Sequence, residues 1–90
     1  MSKFLIEVPH QAGKVACARA VQAFLQTGSH FLASADWGCG DGEHKAWLLV
    51  EMESKDDARY VLPPGFRSKA KITKLGKYTM RDVEQVLEAH

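Results

Sequence analysis

The sequence predicts an α+β fold: a four-stranded antiparallel sheet laid down in the order βαββαβ, with one more helix at the C-terminus. Three observations predict it. Short segments that alternate apolar and polar side chains, or are rich in β-forming ones, recur along the chain. Between them lie segments whose apolar residues fall three and four apart. A run with three glycines, Gly38-Cys39-Gly40-Asp41-Gly42-Glu43, joins the two middle β segments as a hairpin.

Residues 3–9 read as the first strand, with Phe4, Ile6 and Val8 on one face and Lys3, Leu5 and Glu7 on the other. Pro9 ends it because proline removes a ladder donor. Residues 12–27 read as a helix with a buried stripe of Cys17, Ala18, Val21, Phe24 and Leu25, stopped by Gly28 as a left-handed cap. Cys17 on that stripe reads as a small core residue. Residues 30–37 and 44–52 read as the second and third strands. Residues 54–62 read as a short helix capped by Ser54, with Asp56 and Asp57 favoured by the helix dipole. Pro63-Pro64-Gly65 ends it. Residues 69–75 make the last strand, whose lysines suit a sheet edge. Thr79 and Asp82 approximate a capping box for a terminal helix striped by Met80, Val83 and Leu87.

This order is the split βαβ pattern of a ferredoxin-like sandwich, with strands arranged 4-1-3-2 and helices on one face. Ninety residues suffice for that single domain, 1–90. Pairing Trp37 with His44 sets Phe31, Ala33 and Ala35 opposite Val50, Leu48 and Ala46 on the helix side. It also sets Asp36 opposite Lys45 and His30 opposite Glu51, which matches charges across two rungs. The other face then carries Leu5, Leu32, Trp47 and Leu49 as a contiguous patch, which points to a homodimer through the open sheet. Within such a dimer the terminal helix reaches across. The alternative is that it covers this face within one subunit.

Lys+Arg 12 against Asp+Glu 11 gives a net charge of +1, which argues against a nucleic-acid partner. The cationic stretch Arg67, Lys69, Lys71, Lys74 and Lys77 reads as a solvated edge. No apolar run is long enough for a membrane span, and Glu7 interrupts the N-terminal apolar stretch that a signal peptide requires. The expectation is a cytoplasmic protein with Cys17 and Cys39 as free thiols. Walker loop, dinucleotide fingerprint and HExxH are all absent, so no organic cofactor is expected.

Chemistry concentrates where the topology gathers sequence-distant residues. His10 closes the first strand, Cys39 sits in the hairpin and His44 opens the third strand, all at one end of the sheet. The end of the second helix, with Phe66, arrives there too. Imidazole and thiolate together suit nickel, copper or zinc. Asp36, Asp41, Glu43 or a partner's His30 could complete the coordination. The same residues could instead serve an enzyme. Cys39 would be a nucleophile activated by His10 or His44, a His–Asp pair would move a proton, and Trp37 and Phe66 would wall a pocket. A third class, an interaction module, needs only the apolar face.

The opening Lys3-Phe4-Leu5-Ile6-Glu7, the stretch Ala35-Asp36-Trp37-Gly38-Cys39, and Gly42-Glu43-His44-Lys45-Ala46-Trp47 resemble small bacterial ferredoxin-like domains of unknown function. That resemblance implies nickel binding in some relatives. In others it implies a dimeric α/β barrel, with monooxygenase- or isomerase-like activity. The sequence thus leads to a small domain that holds a transition-metal ion rather than to an enzyme.

Overall fold

In the computed structural model, which describes residues 1–90, alternation sets the first strand as expected. β1, Ser2–Pro9, buries Phe4, Ile6 and Val8 on one side. β3, Lys45–Met52, does the same with Ala46, Leu48 and Val50. These two strands pair antiparallel, with Phe4 opposite Val50 and Val8 opposite Ala46. β4, Lys71–Leu75, flanks β1, and β2, Asp36–Trp37, flanks β3. The sheet order β4-β1-β3-β2 is the expected 4-1-3-2, and every neighbouring pair is antiparallel.

Helices cover one face. α1, Lys14–Gln26, contributes Ala20 and Phe24 to the core. Gly28 follows in the left-handed region at φ 73°, as a helix terminator should. The predicted stripe is rotated, however. Cys17, Ala20 and Phe24 turn inward, while Ala18 and Leu25 are exposed at its margin. α3, Lys55–Tyr60, starts where Ser54 Oγ accepts the Asp57 N–H at 3.1 Å, and it buries Ala58. Leu62, Ala70 and Ile72 close the core from that side. Burying each of its larger side chains stabilises the fold by about 1.5–3 kcal/mol relative to exposure.

Residues 30–37 depart from the expected strand. His30–Ala33 form one turn of helix, α2, and only Asp36–Trp37 remain extended. A strand would have turned Leu32 away from the core whenever Phe31 faced it. The helical turn lets both adjacent side chains face inward, and Leu32 is 2% exposed with Phe31 and Ala35 packed on the same core. Leu32 therefore leaves the predicted open-face patch. The hairpin register also differs by two residues. Trp37 opposes Ala46 rather than His44, and Asp36 opposes Trp47 rather than Lys45. Parity is preserved, so Trp37 still faces the helices. The slip frees the chain between Gly38 and Lys45 for a 3-10 turn at Cys39–Asp41.

Pro63-Pro64-Gly65 ends α3 and also starts a second short helix, α4, Pro64–Arg67, with Pro64 in its first turn. Arg67 does not join a solvated basic edge. Its guanidinium donates to the Leu62 carbonyl at 2.9 Å and lies 4.6 Å from the Tyr60 ring centroid. Arg59 donates to the carbonyls of Arg67 and Ala70.

α5, Met80–Ala89, opens on a complete capping box. Asp82 N–H donates to Thr79 Oγ1 at 3.1 Å, and Thr79 N–H donates to Asp82 Oδ2 at 2.9 Å. The Thr79 backbone N–H, then its side chain, hold the Asp82 carboxyl below the usual range. A depressed carboxyl contributes its stability at neutral pH and loses it as pH falls through the folded value. The helix does not lie on its own sheet, since every residue from Lys74 to His90 is exposed. No helix is long and apolar enough to cross a membrane.

Candidate metal centre

Parity carries two histidines to the edge of the core. In β1 the buried row runs Phe4, Ile6, Val8, and the next position of that parity is His10. In β3 the row runs Val50, Leu48, Ala46, and the next is His44, just outside the strand. Because β1 and β3 are antiparallel, both rows end at the same place. His10 N–H donates to the His44 carbonyl at 3.0 Å, and the two rings meet edge to face with centroids 5.7 Å apart.

Cysteines approach from two further directions. The 3-10 turn brings Cys39 Sγ to 3.1 Å from His10 Nε2. The start of α1 hangs over the same end of the sheet and brings Cys17 Sγ to 3.7 Å from His44 Nδ1. Cys17 Sγ also lies 3.9 Å from each ring nitrogen of His10. One donor atom from each of His10, Cys17, Cys39 and His44 falls within 4.8 Å of all the others, and all four residues are half-buried.

The expected trio of His10, Cys39 and His44 is thus brought together, and Cys17 joins it instead of serving as core filler. The signal for Cys17 was topological. A helix that follows a strand begins at that strand's C-terminal end, and only six residues separate Cys17 from His10. Asp36 and His30 lie outside the group. Asp36 is exposed, paired with Trp47, whose side chain belongs to the other face of the sheet. His30 begins α2 and stacks on Phe31 with centroids 4.4 Å apart. It lies beyond the far end of α1, about 20 Å of helix away. Asp41 and Glu43 are exposed and also stand outside the group.

Hydrogen bonding prepares the donors. His10 Nδ1 lies 2.8 Å from the Gln11 carbonyl, which can only accept, so Nδ1 carries the proton and Nε2 presents its lone pair toward Cys39. The Cys17 thiol is raised above its ordinary pKa, first by its hydrogen bond with Cys39, then by burial, then by the charge on Cys39. A metal ion held by this sulfur would have to displace the thiol proton. Trp37 backs the site, its ring 5.7 Å from His10 and 4.9 Å from Phe24, and Phe66 meets Phe24 at 5.3 Å. The site opens into a groove of about 810 Å³ lined in part by Cys17, Val21, Leu25, Trp37 and Cys39.

No family model, curated protein or solved structure matches the chain. Two sulfurs and two imidazole nitrogens suit a tetrahedral cation. With metal–sulfur bonds of about 2.3 Å and metal–nitrogen bonds of 2.0–2.1 Å, the edges of such a tetrahedron measure about 3.3–3.8 Å. The shortest His–Cys separations here, 3.1 and 3.7 Å, lie near that range, and the four donors as a group fall within 4.8 Å of one another.

Gly38 positions Cys39. A Cβ there would sit 2.6 Å from Trp47 Cζ3 and 2.7 Å from the Glu43 carbonyl oxygen. Gly38→Ala is expected to cost about 1–3 kcal/mol in stability, and to weaken metal binding by moving the turn. Thermal melts and metal titration check this. A variant with wild-type melting and wild-type affinity contradicts it.

Proposed function

We propose that this protein is a metal-binding domain that holds one transition-metal ion through His10, Cys17, Cys39 and His44. One observation supports it above all: four donor side chains from four separate segments converge on one small volume. The core beside them is built from purely apolar residues.

The donor set favours zinc over nickel and copper. Tetrahedral S2N2 sites are typical of zinc, whereas nickel(II) and copper(II) prefer tetragonal N,O surroundings. With Cys17 in the group, four protein ligands are available. Catalytic zinc sites keep one position open for water or substrate, whereas structural and holding sites are closed. A fourth protein ligand therefore speaks for holding the ion rather than for hydrolysis or oxygen chemistry at it. The half-burial of every ligand leaves a path for the ion to enter and leave.

The test uses the full chain purified without a histidine tag. After equilibration with zinc, nickel or copper and removal of free ion, elemental analysis should find about one zinc per chain, in preference to the other two. Cobalt(II) should give the intense absorption of a tetrahedral thiolate complex. His44→Ala and Cys39→Ser should each lower the uptake. A chain that retains no ion, or variants that load as fully as the wild type, would falsify the proposal.

A further inference from the structure

The molecule has two unpartnered apolar surfaces, and neither belongs to the metal centre. The first is α5. The radius of gyration is 16.1 Å and the longest dimension 53 Å, whereas a 90-residue domain folded on itself has a radius near 12 Å. The excess comes from a helix that projects from the sheet, with Tyr78, Met80, Val83, Val86 and Leu87 all exposed. A ten-residue helix with no tertiary support is marginal in water even with good caps. An apolar stripe on such a helix is the mark of a packing face.

The second surface is the sheet face away from α1 and α3. Leu5 opposes Leu49, and Leu75 lies beside them across β1. Leu49 is 58% exposed. Trp47 completes the patch, its indole N–H held by Glu7 Oε1 at 3.1 Å. Leu5 and Trp47 are half-buried while Leu49 and Leu75 are exposed, and α5, the one element left to cover them, does not.

We propose that two copies of this chain form a dimer in which α5 of each copy lies across the open sheet face of the other. A second copy is the occupant that leaves neither surface unmatched. Each chain supplies one helix and one sheet face, so a two-fold axis pairs both surfaces at once and closes the assembly. Stable dimers bury about 1,200–2,000 Å² in total, which requires roughly 300–500 Å² from each of the four participating surfaces. The five large side chains on the α5 segment are 43–82% exposed, and Leu49 and Leu75 with the half-buried Leu5 and Trp47 form the sheet patch that would receive them. The contact also explains why a capping box fixes a helix that its own domain does not support. The face lies on the opposite side of the sheet from the His/Cys group, so the dimer stands whether or not a metal binds.

The experiment is mass measurement by sedimentation or light scattering on the full chain. A concentration of about 100 µM almost fully assembles a complex of micromolar Kd. The wild type should run at twice the chain mass. Val83→Asp/Leu87→Asp changes residues that touch none of the core, so its fold is retained, and it should run as a monomer. Leu49→Lys should also be monomeric. Leu25→Lys, which alters the exposed margin of α1, should remain dimeric. A monomeric wild type, or a dimer from either of the first two variants, overturns the proposal. A monomer from Leu25→Lys overturns it as well, and moves the docking site to α1.

Discussion

Cys17→Ser is expected to weaken zinc binding by at least about 100-fold. Even outer-shell partners of metal ligands contribute 10–100-fold when removed, and Cys17 is placed as a direct donor. Its sulfur lies 3.7 Å from His44 Nδ1, inside the about 3.3–3.8 Å edge of a tetrahedral site, and 3.9 Å from His10, just outside it. A serine hydroxyl keeps the size of the side chain but replaces a soft thiolate with a poor neutral ligand. Competition against a chromophoric chelator reads the change directly. The alternative role for Cys17, a small residue of the α1 core, makes the opposite prediction. Serine would then lower the melting temperature of metal-free protein and leave zinc affinity unchanged. The half-exposure of Cys17 argues against that role, because a fully buried thiol would sit at the level of Ala20 and Phe24. Unchanged affinity in the variant would remove Cys17 from the site and reopen a coordination position. It would thereby revive a catalytic reading.

The contrast between Cys17 and the histidines shows what a single sequence reveals. Strand parity is rigid, because side chains alternate strictly, so Phe4, Ile6 and Val8 point unambiguously to His10 as the next residue on that face. The same rule extends Val50, Leu48 and Ala46 to His44. Helix stripes are less decisive. Cys17 and Phe24 fall on one predicted stripe, and periodicity alone assigns both to the core. Periodicity does not say where the core stops. The first turn of α1 runs past the end of the sheet, so the same stripe that is buried at Phe24 is half-exposed beside His10, Cys39 and His44 at Cys17.

The segment 30–37 failed for a different reason. Short apolar runs carry no clear period, and Phe31-Leu32 fits a strand or a helical turn equally well. Tertiary demand decided it, because both side chains had a place in the core and only a helical turn delivers both. The capping box of α5 was legible because it is local, formed by Thr79 and Asp82 alone. The direction in which α5 leaves the domain was not, since it depends on surfaces that lie far away in the chain.

Phe24→Ala tests how far the metal centre depends on the core behind it. Phe24 is 1% exposed and meets the Trp37 and Phe66 rings edge-on at 4.9 and 5.3 Å. Truncation leaves a cavity under both aromatics and is expected to cost about 3–5 kcal/mol. That is a large share of the 5–15 kcal/mol that holds a typical domain together. For a domain of this size each kcal/mol moves the melting temperature by about 4–8 °C, so the metal-free variant should melt at least about 12 °C lower. Leu25→Ala, one residue along the same helix but 58% exposed, should change stability by no more than about 0.5 kcal/mol. Zinc binding adds a second, separable effect. At a free concentration one hundred times Kd, a ligand that binds only the folded chain stabilises it by about 2.7 kcal/mol. Loaded Phe24→Ala should therefore recover much of the loss, and a chelator should take the recovery away. Trp37 connects the two effects, since it rests on Phe24 on one side and lies 5.7 Å from the His10 ring on the other. Losing its support should loosen His10 and raise the zinc Kd of the variant, so rescue would need more metal than the wild type does. If Phe24→Ala melted no lower than Leu25→Ala, the aromatic cluster would not be what holds α1, and with it Cys17, against the end of the sheet.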